Sequence, residues 1–214
     1  MRRTRLDPDI QEIIRRLEEE HSGARLQLAH GNPLELLIGA ILSAQSTDSM
    51  ANRITVRLLE RYTRVEDLAA ASLPELEEEI RSSGYFRVKA RYIKSSCEKI
   101  VEEFGAKVPS TMEELLSLPG VGRKTANIVL TYSFGIVEGI AVDTHVFRVS
   151  RRLGLSTSGN PEGVERDLMG ITPRDQWMLL GDLLIFHGRR ICDARKPECG
   201  SCVVSDLCPS AFSI

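Results

Sequence analysis

The spacing of apolar residues limits this chain's fold more than any other feature. Behind Asn32-Pro33, residues Leu34, Leu37, Ile38, Ile41 and Leu42 recur three and four positions apart, which lines one face of a helix running to about Ala44. A capping side chain followed by proline marks a helix start, because proline's fixed φ suits the first turn and its missing N–H is not needed there. Asp7-Pro8 repeats the signal and predicts a helix to about Glu20. Asp48 is expected to cap a helix through Ile54, Val56, Leu58 and Leu59. Shorter helices are predicted from Val65 to Ala71 and from Pro74 to Ser82, and a long one from Arg87 to Phe104. Thr111 to Ser117 and Arg123 to Phe134 flank a glycine turn, and helices from Asp143 to Leu153, Pro161 to Gly170 and Arg174 to His187 complete the set. Nothing alternates as a strand ladder does. Val137 to Val142 is apolar, short and glycine-bounded, and reads as a buried connector. The fold class is all-α, with an internal break between Phe134 and Ala141.

The chain is long enough, at 214 residues, for one large domain or two small ones, and its 42% hydrophobic residues supply a core. No apolar run reaches the roughly 18 residues that span a bilayer. The basic start Met1-Arg2-Arg3-Thr4-Arg5 is not followed by an apolar stretch, so no signal peptide is expected and a cytoplasmic, reducing location is. The formal charge of -2 does not advertise a nucleic-acid binder, but its distribution is uneven. Glu66, Asp67, Glu75, Glu77, Glu78 and Glu79 run without an intervening cation, whereas Arg123, Lys124, Arg148, Arg151 and Arg152 meet only Glu138 and Asp143. Arg189, Arg190, Arg195 and Lys196 extend the basic set. An acidic back and a basic front are expected.

Leu118-Pro119-Gly120-Val121-Gly122-Arg123-Lys124-Thr125-Ala126 joins two helical stretches. Pro119 stops the first, Gly120 and Gly122 permit a tight turn at positive φ without bulk, and Val121 pins it from inside. The backbone N–H groups at the start of the second helix then face outward as an anion site suited to phosphate. Lys124 falls in that helix's first turn, beside Arg123, and is a candidate nucleophile. Asp143 follows the apolar connector and is either a helix cap or a carboxylate for proton transfer or charge stabilisation. His145 lies two residues on, and Arg148 is placed to reach a phosphate.

Cys192, Cys199, Cys202 and Cys208 form Cys-x6-Cys-x2-Cys-x5-Cys. Four thiols in a tail otherwise built of loop residues suit a tetrahedral zinc site or a cubane cluster, whose binding would supply the tail's fold. A disulfide framework fits poorly in a reducing compartment. Cys97 stands alone on the long helix as a small buried side chain.

These marks together resemble the endonuclease III family of bifunctional DNA glycosylases/AP lyases, in the helix–hairpin–helix superfamily. The likeness covers nearly the whole chain and rests on Leu42-Ser43-Ala44-Gln45-Ser46-Thr47-Asp48, the glycine turn, Val142-Asp143-Thr144-His145 and the cysteine tail with Ala194-Arg195-Lys196-Pro197. The resemblance implies two helical domains flanking a DNA cleft. One is a six-helix barrel over residues 26–136; the other joins 1–25 to 137–214 and holds a [4Fe-4S] cluster on the four tail cysteines. It implies Lys124 as nucleophile and Asp143 as catalytic carboxylate, acting on an oxidised pyrimidine flipped out of damaged double-stranded DNA, with β-elimination through a lysine Schiff base. Gln45 would fill the vacated stack and Tyr85, in Gly84-Tyr85-Phe86, would wedge the opposite strand. Ser43, Asp48 and His145 match positions of the base pocket. Gly120, Val121, Gly122, Arg123, Thr125, Arg148, Arg195 and Lys196 match DNA contacts. The wedge is usually aliphatic in the family, so Tyr85 departs from the pattern; an aromatic still stacks on bases. Related adenine and thymine-mismatch glycosylases lack the lysine at this position, and the adenine enzymes carry a further C-terminal domain, whereas this chain ends soon after Cys208. A non-catalytic DNA-binding module leaves Lys124 and Asp143 without a role together, and an electron-transfer protein leaves the glycine turn unexplained. A monomer is expected.

Overall fold

The computed structural model describes residues 9–29 and 31–213. The expected Asp7-Pro8 helix start and the basic N-terminal run lie outside them. The first described helix, α1 (Ile10–Glu20), is instead capped by Asp9, whose side chain accepts from the Glu12 N–H. Ten more follow: α2 (Pro33–Ser43), α3 (Asp48–Arg61), α4 (Val65–Ala70), α5 (Leu73–Glu79), α6 (Phe86–Glu103), α7 (Met112–Leu116), α8 (Arg123–Phe134), α9 (Thr144–Arg152), α10 (Pro161–Ile171) and α11 (Trp177–Arg190). No strand occurs among the described residues, and the connector after α8 buries Ile140 and Val142 without one.

Most helix starts follow the polar residue that the sequence offers. Asn32, Thr111, Asp143 and Asn160 each accept a backbone N–H of the first turn, satisfying a donor the helix leaves orphaned. Asp48 does not cap α3. Thr47 does, through its hydroxyl to the Met50 N–H, and Asp48 becomes the first helical residue. The helix expected from Arg174 begins with a single 3-10 turn, Arg174–Gln176, and α11 proper then runs to Arg190, past Gly188. A Cβ at Gly188 would sit 2.9 Å from the Cβ of His145, so this glycine is a helix-crossing point rather than a stop.

The chain divides into two compact units, Gln27–Glu138 and the stretches Met1–Leu26 with Gly139–Ile214. In the first, α2 is the central helix: Leu36 through Leu42 are all buried, with α3, α6 and α8 packed around them. A helix apolar on every side belongs inside. In the second, Ile13 and Leu17 of α1, Val146 and Val149 of α9, Leu180, Leu183 and Leu184 of α11, and Val204 of the tail share one core. Each fully buried side chain of this kind contributes about 1.5–3 kcal/mol relative to exposure.

The expected acidic back is not a bare acidic face. Glu66, Glu75, Glu77, Glu78 and Glu79 pair with Arg64, Arg61, Arg87, Arg81 and Arg57. Those arginines flank the acidic run in sequence, and folding brings them onto it.

Leu17 is fully buried where α1 meets α11. Leu17→Ala is expected to cost about 2–5 kcal/mol of stability, measured by urea denaturation. A loss no larger than that of an exposed Leu116→Ala control would contradict this packing.

Candidate active site and cysteine pocket

The glycine turn is built on α6. Gly120 has φ +78°, and a Cβ there would lie 2.5 Å from Cγ of Tyr92, nearly two turns into α6. Ser96, one further turn along, is fully buried and donates its hydroxyl to the Pro119 carbonyl at 2.7 Å. Val121 is buried and its N–H bonds the Leu118 carbonyl. Gly122 differs from expectation: its φ is -96°, so positive φ is needed only at Gly120. Gly122 is the N-cap of α8, exposed, with nothing within 4 Å of a built Cβ. Without a capping side chain, the Lys124 and Thr125 N–H groups in the first turn of α8 are left for an outside acceptor. Arg123 and Lys124 are exposed in the same turn, and Thr125 is half-buried. Among the described residues, no hydrogen bond or ion pair holds the Lys124 amine.

Two other loops of this unit meet each other. Gln45 and Tyr85 are both non-glycine residues at positive φ, 53° and 57°. Both are exposed, Tyr85 at 68%. Such backbone costs on the order of 1–3 kcal/mol and persists only where neighbours impose it. A Cβ on Gly84 would come within 3.3 Å of the Gln45 carbonyl, and the Ser46 and Ser83 hydroxyls are 3.4 Å apart. Ser43 is half-buried, its hydroxyl turned back to the Ala40 carbonyl, and Asp48 is half-buried at the start of α3.

In the other unit, Asp143 is both cap and free carboxylate. Its Oδ1 accepts the N–H groups of His145 and Val146 at 2.7 and 2.8 Å. Its Oδ2 has no hydrogen-bond partner among the described residues. Arg148, expected to reach DNA, is turned inward: it donates to the carbonyls of Gly188 and Cys192 and to Nδ1 of His145 at 3.1 Å. A guanidinium only donates, so the His145 proton sits on Nε2.

Cys192, Cys199, Cys202 and Cys208 line one pocket together with Val149, Leu153 and Ile191. No three His, Cys, Asp or Glu side chains among the described residues converge as ligands of a single ion. Four thiols lining one shared pocket are a donor set that fits a polynuclear cluster, in which each iron takes one thiolate. Burial pushes the Cys202 and Cys208 thiols above their ordinary range, and a metal centre would displace those protons. Arg152, which the sequence offered only as one more cation, donates to Cys192 Sγ and to the carbonyls of Asp193 and Ala194. His187 places Nε2 3.5 Å from Cys202 Sγ and Nδ1 3.2 Å from Nε2 of the buried His21. Burial holds His187 down at about 4 and His21 below its usual value. Asp193 accepts the N–H groups of Arg195 and Lys196, fixing the loop that exposes both side chains. Cys97 is buried on α6, and burial pushes its thiol up to about 12, as an inert core residue requires.

Residues 38–174 match the HhH-GPD superfamily base excision DNA repair protein family, and residues 192–208 match the iron-sulfur binding domain of endonuclease III. Endonuclease III of Synechocystis sp. is 50% identical over 200 residues, 94% of this chain and 91% of that protein. That of Bacillus subtilis is 45% identical over 186 residues, 86% and 84% of the two chains. A solved structure of a trapped endonuclease III–DNA covalent intermediate is similar at TM-score 0.93 and 42% identity, covering 98% of this chain and 99% of that one. A thermostable thymine-DNA glycosylase, at 23% identity and TM-score 0.80, shares the fold.

Gly120→Ala must adopt positive φ, at about 1–2 kcal/mol, and also displace Tyr92. Gly122→Ala meets neither penalty. Thermal unfolding is therefore expected to show a clearly larger loss for Gly120→Ala, and equal losses would contradict this geometry.

Proposed function

The chain belongs to the endonuclease III family, and from that membership we infer that Lys124 and Asp143 carry its DNA glycosylase/AP lyase chemistry. The observation that carries this reading is the exposed, unpartnered Lys124 amine in the first turn of α8, directly behind a turn whose N–H groups suit phosphate. A relative has been trapped as a covalent intermediate with DNA, which supports a protein nucleophile.

The substrate is damaged double-stranded DNA carrying an oxidised pyrimidine. The Gly120–Thr125 turn holds a backbone phosphate without reading sequence, and the lesion leaves the stack at a cost of a few kcal/mol. Gln45 fills the vacated space and Tyr85 stacks against the opposite strand. The base is received near Ser43, Asp48 and His145. The Lys124 Nζ forms a bond to the anomeric carbon as the bond to the base breaks. The Asp143 carboxylate, held by its cap through Oδ1, offers Oδ2 to the positive charge developing on the sugar and then to the proton leaving the amine. Loss of the ring oxygen's bond gives the Schiff base. β-Elimination then removes a proton from C2′, whose electron pair becomes the C2′–C3′ double bond as the C3′–O bond breaks, and the 3′ phosphate leaves with the electron pair of that bond.

The tail carries the iron–sulfur domain of the family, and Cys192, Cys199, Cys202 and Cys208 are the four thiolates that hold a [4Fe-4S] cluster. The cluster supplies a fixed fold to a tail with little apolar core, and Arg195 and Lys196 on its loop contact phosphates. Arg148 braces the Gly188–Cys192 stretch and orients His145 through Nε and one terminal nitrogen, and its other terminal nitrogen is offered to a DNA phosphate. No described helix is long and apolar enough to cross a membrane; the enzyme works with the chromosome in the cytoplasm, as a monomer.

Borohydride is expected to trap the parent protein on duplex DNA bearing an oxidised pyrimidine, and Lys124→Gln to abolish trapping while still binding DNA. Trapping by Lys124→Gln at the parental level overturns the nucleophile assignment. Asp143→Asn keeps a capping side chain and is expected to slow base removal on the order of 100-fold or more with little change in stability. Normal turnover would reduce Asp143 to a cap. Metal and acid-labile sulfide analysis should find about four of each per chain; zinc without sulfide would contradict the cluster.

A further inference from the structure

Lys89 lies on the buried face of α6 at 4% exposure. Among the described residues, no carboxylate pairs with it. Its ammonium donates to three neutral acceptors: the Leu42 carbonyl at 2.8 Å, the Ser46 hydroxyl at 3.1 Å and the Ser83 hydroxyl at 2.7 Å. These three bonds use every donor the group has. Burial depresses its protonation, so the site holds a cation at a real cost. A leucine there would fill the apolar stripe of α6 at none.

The acceptors show what that cost secures. Leu42 and Ser46 bracket the loop that carries Gln45, and Ser83 opens the turn that carries Tyr85. Both exposed residues sit at positive φ, and their loops touch through Gly84 and the Gln45 carbonyl. Lys89 is bonded to both sides of that contact. Tyr92 and Ser96, three and seven residues along the same helix, secure the glycine turn.

We propose that Lys89 is a positioning residue that locks the Leu42–Ser46 loop to the Ser83–Tyr85 turn, so that Gln45 and Tyr85 enter the duplex as one rigid pair. This rests on the reading that those two side chains enter the DNA stack. Lys89 touches neither substrate nor the reacting atoms. Its effect follows from the sensitivity of catalysis to misplacement, where 1 Å can cost on the order of 100-fold.

The test compares duplex DNA carrying an oxidised pyrimidine with single-stranded abasic DNA, which has no stack to open. Lys89→Met retains the apolar stem and removes the three bonds. Its single-turnover rate on the duplex is expected to fall 10- to 100-fold, and its rate on the single strand much less. On the Gln45→Ala background, the Lys89→Met loss should shrink, because the two changes disable one device. Ser46→Ala/Ser83→Ala removes two of the acceptors without emptying the Lys89 site, and should show the same duplex-selective loss if Lys89→Met fails to fold. Equal losses on both substrates, or losses that multiply with Gln45→Ala, overturn the proposal and leave Lys89 a brace of the fold. If Gln45→Ala and Tyr85→Ala themselves leave duplex excision unchanged, the stack-entry reading fails and the proposal falls with it.

Discussion

The buried face of α6 must satisfy the polar groups it carries, and it does so by gripping helix ends and the turns beside them. Ile93, Cys97 and Ile100 bury themselves in the unit's core. Between them, Ser96 holds the Pro119 carbonyl, Tyr92 fills the space that a Gly120 side chain would take, and Lys89 holds Leu42, Ser46 and Ser83. Three loops that are distant in sequence, at 42–48, 83–86 and 118–124, therefore take their places from one straight element. Loops on a rigid helix reproduce their geometry better than loops on each other. Of the exposed residues proposed to meet DNA, those of this unit lie on segments that α6 fixes from beneath.

The second unit uses a different material for the same purpose. Among the described residues after Cys192, Val204 is the only fully buried apolar side chain. Arginines of α9 compensate: Arg148 and Arg152 donate to carbonyls and a sulfur along Gly188–Ala194. A planar fork with several donors suits a stretch rich in unpaired carbonyls better than a lysine would. The cap of α9 at Asp143 and the braces from its later turns tie the proposed catalytic carboxylate and the start of the cysteine tail to one short helix.

Helices and their starts were legible in the sequence because caps and periodicity are local signals. Asn32, Thr111, Asp143 and Asn160 announce themselves within four residues of what they bond. Thr47 and Asp48 compete as adjacent candidates, and only backbone geometry decides between them. The cysteine ligands were legible from spacing, and the glycine turn from composition, although Gly122 serves as an open cap and not as a second positive-φ residue. What sequence hid were bonds between distant residues. Arg148 reads from the sequence only as a cation near the site, and its bonds to carbonyls forty and more residues away emerge on folding. The acidic run looks bare until arginines fold onto it. Lys89 interrupts an apolar stripe, which is a signal, but its acceptors lie on two separate loops.

Asp143 has a consequence for how this protein can change. Active-site groups commonly weaken the scaffold that holds them, so that enzymes gain stability when they are lost. Here one carboxylate oxygen ties down the start of α9, and the other is the one proposed for chemistry. Selection for folding and selection for activity then press on the same atoms in the same direction. Mutational drift at position 143 is closed twice over: alanine would lose both roles, and asparagine would retain only the structural one.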